Sequence, residues 1–176
     1  MDSGQNSHMP IAPDLWRSQV YSAEDQFTSL LNRGGPVDFF GSTLDLDPQR
    51  RFGDLDSVRL YVERACELVS GIYPGITPPQ VRARKGTTRA HYEFTSQLIA
   101  LPVADQWALR ETVILHECAH HVTSVVHGRQ AAPHGPEFAQ TMLHLVRCVM
   151  GESAELLLRV GYQEAGVPIR VVEESL

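Results

Sequence analysis

The residues with the most chemistry to offer lie within five positions of one another, in His116-Glu117-Cys118-Ala119-His120. On a helix, residues four apart face the same way with Cβ atoms about 5–6 Å apart, so both imidazoles reach one metal ion with Zn–N bonds of about 2.0–2.1 Å. Glu117 is rotated by one residue, which sets its carboxylate beside such a metal instead of on it. There it is placed to accept the proton of a water that the metal acidifies to a pKa of about 7. Metal-assisted hydrolysis needs this arrangement, with Glu117 as general base and the two histidines as ligands. With 8 histidines and 12 glutamates among 176 residues, random order gives the pattern somewhere with a probability of about 0.02. The motif therefore has to be weighed with its surroundings.

A catalytic zinc takes three protein ligands and leaves one position open. The extended pattern, with glycine three residues after the second histidine, fails here: Thr123 occupies that place, Val126 stands where the third histidine would fall, and His127 is one residue off. His134 is the better candidate, because a loop ending at a helix start folds back over the metal. Glu137 is its rival, since a glutamate on a following helix completes some zinc sites, and Glu152 is a more distant one. The remaining candidates read more plainly. His121 lies about 100° around the helix from His120 and reads as a supporting or surface residue instead of a ligand, Cys118 turns away from the shared face into the core, and His144 on the next helix reads as a surface position, with a hydrogen bond into the site as the alternative. His127 reads as a helix end where the dipole favours a cation. His91 or Tyr92 could donate to a developing oxyanion, against the simpler reading that Tyr92 packs on a sheet.

Elements to position these residues can be read along the chain. Residues 1–13 are polar, Pro-rich and aperiodic, and are excluded from the fold; residues 14–176 form one domain. Ser22 with Asp25 resembles a capping box for a first helix that closes at Gly34 and Gly35 and could begin earlier, near Asp14. Val37–Phe40 and Thr43–Leu46 are short extended segments. Leu55, Val58, Val62, Ala65, Val69 and Ile72 recur at helical spacing behind Asp54 as cap. Val81–Ala83, Ala90–Phe94 and Gln97–Leu101 have strand composition around a Lys85-Gly86-Thr87 turn and imply a small sheet, with Gln97–Leu101 as an edge for an extended peptide. A long helix capped by Asp105 carries the motif to His127 and stops at Gly128, and its apolar circumference marks it as buried. Pro136 opens another helix to Gly151, and Ser153 a short last one. Helices around a small sheet make an α+β domain.

Composition narrows the function. A chain 43% apolar and 20% charged is of a size to bury a real core. The formal net charge of −6 offers no general field for phosphates and disfavours nucleic acid as partner, although local basic patches are not excluded. Cys66, Cys118 and Cys148 are odd in number and widely spaced, which fits free thiols in a reducing cytoplasm. No apolar run approaches the roughly 18 residues needed to cross a bilayer, so no membrane association is expected.

His134-Gly135-Pro136-Glu137-Phe138, following His116-Glu117-Cys118-Ala119-His120 by a short loop, resembles the SprT-like and minigluzincin zinc metallopeptidases. Trp107-Ala108-Leu109-Arg110-Glu111, Tyr61-Val62, Ala90-His91-Tyr92-Glu93 and Met150-Gly151 are similar to an actinobacterial zinc metallohydrolase family, from about Ser18 onward. The resemblance implies a zincin-like domain with one zinc ion on His116, His120 and His134 and Glu117 as base. Many SprT-like proteins carry a C-terminal cysteine-rich zinc ribbon, and no cysteine follows Met150 here, so the DNA-associated role of such proteins is not carried over. The expected function is a zinc-dependent hydrolase, with a peptide or protein as substrate. The alternatives are a zinc-containing binding or regulatory module that never turns over, or an amidohydrolase acting on a non-peptide substrate.

Overall fold

The computed structural model describes residues 12–170, so most of the N-terminal lead-in, Met1 to Ile11, lies outside the described residues. Helix α1 (Arg17–Arg33) leads into a hairpin of β1 (Gly35–Phe39) and β2 (Ser42–Leu46), followed by α2 (Leu55–Val69). Strands β3 (Gln80–Ala83), β4 (His91–Glu93) and β5 (Leu98–Leu101) precede three helices, α3 (Glu111–His127), α4 (Pro136–Met150) and α5 (Glu152–Glu164). The architecture is α+β, with five helices packed against two small sheets. No helix among the described residues is long and apolar enough to cross a membrane.

The three-stranded sheet runs in the order β3-β5-β4, with β5 parallel to β3 and antiparallel to β4. This corrects the expected placement of Gln97–Leu101 as an edge. Leu98, Ile99, Ala100 and Leu101 are all buried, which is the property of a strand covered on both faces and paired on both sides. An outer strand of this sheet is β4, which packs on α3 and pairs only with β5 among the described residues.

Two helix starts also differ from expectation. Ser22 lies inside α1, whose first residue is Arg17 and whose start has no capping side chain. Asp105 precedes a short 3-10 turn, Gln106–Leu109, and α3 begins only at Glu111. By contrast, Asp54 caps α2 by accepting from the Ser57 amide at 2.8 Å, and Pro136 occupies the first turn of α4.

α3 is the buried axis of the molecule. Ile114, Leu115, Cys118, Ala119 and Val122 are fully buried, and each large aliphatic among them contributes about 1.5–3 kcal/mol by leaving water. Its start is anchored by the segment after β2. Glu111, 3% exposed, accepts from the Arg50 amide at 2.7 Å and from the Tyr61 hydroxyl at 2.8 Å. Gln49 Oε1 accepts from the Thr112 hydroxyl at 3.0 Å. These bonds fix the azimuth of α3 and so the direction in which its histidines point.

Candidate metal centre

On α3, His116 and His120 stand one turn apart with ring centroids separated by 4.8 Å and Nε2 atoms by 3.2 Å. His134 comes from the loop before α4 and brings its own Nε2 to 3.4 Å from that of His116. The loop is shaped to do this. After Gly128 ends α3, the chain turns so that the Gly135 amide donates to the Ala132 carbonyl at 3.0 Å. A Cβ on Gly135 would stand 2.9 Å from Ala132 Cβ, so glycine permits the close approach that aims His134 back at α3. Phe138, in the first turn of α4, sets its ring centroid 5.0 Å from those of His116 and His134 and 4.6 Å from that of His120. Tyr21 of α1 stacks on His116 at 5.2 Å.

The far sides of two rings are held by carboxylates. His116 Nδ1–H donates to Glu24 at 2.7 Å, and the other Glu24 oxygen accepts from the Tyr162 hydroxyl at 2.6 Å. His134 Nδ1–H donates to Asp14 at 2.9 Å. Each bond fixes the tautomer with the proton on Nδ1, leaving the Nε2 lone pair directed inward.

The electrostatics follow from this packing. Burial pushes His116 down, but the charge and hydrogen bond of Glu24, together with Glu117, outweigh it and the net shift is upward. His120 is held well below its ordinary range by burial and by the neighbouring His116 and His134. His134 is lowered by burial and by His116, with Asp14 acting against both. Three Nε2 atoms crowded together cannot all carry protons, and neutral rings point their lone pairs at one another. A cation between them removes that conflict. Two N–N separations, 3.2 and 3.4 Å, match the edge of about 3.3 Å that tetrahedral Zn–N bonds require. The three residues could therefore hold a metal ion, and among the described residues they form the one such group of histidine, cysteine or carboxylate side chains.

Glu117 is 4% exposed and borders a cavity of about 410 Å³ that also reaches His116, Tyr21 and Trp107. Burial raises its carboxyl to about 7, with Glu24 adding to the shift and His116 and the Tyr92 backbone opposing it. A divalent cation on the histidines would draw it back toward the ionised form.

The other candidates fall elsewhere. Glu137 is half-buried in the first turn of α4 and outside the cluster, and Glu152 pairs with Arg147 at 2.8 Å. Cys118 is buried in the core, and burial keeps its thiol protonated. His121 is fully buried and structural: it bonds Tyr92 at 3.0 Å and the Thr77 carbonyl at 2.8 Å. Of the two readings of Tyr92, this favours packing on the sheet over donation to an oxyanion, since its hydroxyl is engaged with His121. His91 likewise turns to Arg84 at 2.9 Å. His127 closes α3 as expected, and burial and Arg170 lower it from its ordinary range, with Glu137 opposing, so they work against the cation that the helix dipole favours. His144 bonds Tyr73 and Gln140 rather than the site.

The sequence reading missed Glu24, Asp14, Tyr162 and Tyr21. A signal for Glu24 existed, since it lies on the same helical face as Val20, Ala23, Phe27 and Leu31, where an acid must have a partner. Tyr162 follows Ala154 and Leu158 on the buried face of α5 in the same way.

Residues 79–159 match the SprT-like family, which relates the chain to the SprT-like and minigluzincin metallopeptidases. The α+β architecture fits a zincin-like fold. The matched span runs from the start of β3 into α5 and contains His116, Glu117, His120 and His134, while Asp14, Arg17, Tyr21 and Glu24 precede it. No curated protein and no solved structure matches the chain.

Proposed function

We propose that the protein is a zinc-dependent metallopeptidase in which His116, His120 and His134 bind the metal through Nε2 and Glu117 is the general base. The convergence of three Nε2 atoms beside a buried carboxylate that borders an open cavity carries this reading. Zinc held there supplies Lewis acidity, polarising a carbonyl oxygen and bringing a water to a pKa of about 7.

The residues of the chain do the rest. Glu24 and Asp14 hold His116 and His134 in the tautomer and orientation that ligation needs. Glu117 takes a proton from the attacking water as oxygen adds to the carbonyl carbon, and returns it to the amide nitrogen as the C–N bond breaks. Phe138 and Tyr21 shield the rings from bulk water, which strengthens the electrostatics at the reacting atoms. An extended peptide has β4 to pair with, since that strand packs on α3 and pairs only with β5 among the described residues. A purely structural zinc would be closed by four protein ligands and would have no use for Glu117, which disfavours a non-catalytic module.

Metal content of the native protein, measured beside peptide cleavage, tests the reading. Near-stoichiometric zinc that is lost in His134→Ala and kept in Glu137→Ala, with turnover abolished in a zinc-loaded Glu117→Gln, is the expected result. Normal turnover of Glu117→Gln with zinc bound would refute the role of Glu117, and failure to take up zinc would refute the whole.

A further inference from the structure

The cavity beside His116 and Glu117 is lined by three arginines, Arg17, Arg89 and Arg110. In a chain with a formal net charge of −6, this grouping runs against the average. The three come from separate places: the first residue of α1, the loop between β3 and β4, and the residue just ahead of α3. Among the described residues none of them forms an ion pair with a carboxylate, whereas Arg50, Arg59, Arg64, Arg82, Arg147 and Arg159 all do. Arg110 Nε is buried and has no hydrogen-bond partner there. A buried N–H on a charged group is ordinarily satisfied, so this one leaves the Arg110 guanidinium short of an acceptor.

The acids of the same cavity do not fill that need. Both oxygens of Glu24 are taken, by His116 and by Tyr162. Asp25 is exposed and more than ion-pair distance from every arginine of the described residues, and Glu117 is the base. Trp107, Ala90 and Val113 add apolar wall.

We infer that this cavity binds a carboxylate of the peptide being cleaved, either an Asp or Glu side chain close to the scissile bond or the free C-terminus, on Arg17, Arg89 and Arg110. The inference rests on the reading of the protein as a metallopeptidase. Planar guanidinium groups match a carboxylate with paired, charge-assisted hydrogen bonds. Because Glu117 and His116 form part of the same wall, a carboxylate anchored there fixes a nearby peptide carbonyl relative to the base and the metal ligands. An amide isostere leaves the guanidinium groups unpaired and is selected against.

Zinc-loaded full-length protein is assayed on fluorogenic peptides that differ only as Asp against Asn or Glu against Gln at each position around the scissile bond. A second set differs only as free C-terminal acid against C-terminal amide. One acidic member should exceed its neutral partner in kcat/KM by about 10- to 100-fold, and which set shows the effect identifies the source of the carboxylate. In Arg89→Gln, at an exposed loop position where folding is not at stake, and in Arg110→Gln, the ratio should collapse toward one with zinc content and Tm retained. Cleavage without preference in any pair overturns the inference and leaves the peptidase reading standing. If zinc-loaded protein cleaves no peptide, the peptidase reading falls, and calorimetric binding of the same pairs to zinc-loaded Glu117→Gln decides the cavity. Roughly tenfold tighter binding of the acid, abolished in the arginine variants, supports a carboxylate site, and equal affinity overturns it.

Discussion

Replacing Glu24 by glutamine removes one charge and no volume from the metal centre, at a residue that touches no metal. In the native protein the two Glu24 oxygens accept from His116 Nδ1–H at 2.7 Å and from the Tyr162 hydroxyl at 2.6 Å, and its side chain is 10% exposed. Glutamine offers only one carbonyl oxygen, so it cannot accept from both donors as before, and it no longer makes the His116 imidazole more basic. Carboxylates behind a metal-bound histidine are worth about 10–100-fold in metal affinity, or about 1.4–2.7 kcal/mol. The buried, short, doubly used Glu24 belongs at the upper end of that range. Asp14→Asn should cost less, because Asp14 is 27% exposed and its contact with His134 is 2.9 Å long. Zinc dissociation constants from competition with a chromophoric chelator at fixed pH measure both. The expected order of affinity is native protein, then Asp14→Asn, then Glu24→Gln, with Tyr162→Phe weakening binding only through Glu24. Native affinity in Glu24→Gln would refute the claim that Glu24 orients and charges His116.

Gly135→Ala should displace His134, because the added methyl meets Ala132 Cβ at 2.9 Å and the Ala132 carbonyl at 3.3 Å; about 1–3 kcal/mol of lost stability in urea unfolding together with weakened zinc binding is expected, and unchanged zinc affinity would contradict the loop's positioning role. His144 is held below its ordinary 6.5 by burial and by Arg159 and Arg147, with Glu155 opposing. The unfolded chain therefore binds the proton more tightly than the folded one. Its contribution to stability is complete above about pH 6.5 and is lost as pH falls below it. Metal-free native protein should lose more stability than His144→Gln between pH 7 and 5, by at most about 1.4 kcal/mol per pH unit, and parallel profiles would exclude the effect.

The local part of this molecule was legible and the long-range part was not. His116 and His120 share a helical face by spacing alone, and Asp54 and Pro136 announced the starts of α2 and α4 through capping chemistry. The start of α1 carried no such signal, since Trp16 precedes it without a capping side chain, and Ser22 was a decoy. Asp105 misled because the 3-10 turn after it buries Ala108 and Leu109 as a helix would. The run Leu98-Ile99-Ala100-Leu101 did contain the information that β5 is central, since an edge strand with one wet face would alternate. Glu24 and Asp14 meet their histidines across 92 and 120 residues, and no local pattern encodes such a pairing.

The line from Tyr162 through Glu24 to His116 spans 138 residues and ties the first and last of the described helices to the central one. Such a contact is assembled only after most of the chain has closed its loops, so it belongs to the late stages of folding. The histidines lie near each other in sequence, yet the orientation of His116 is set by α1 and, through Glu24, by α5. Metal uptake would then report on completed packing: a chain in which α1 or α5 has not docked carries the entire HExxH motif, yet its His116 lacks the carboxylate that orients it for a metal.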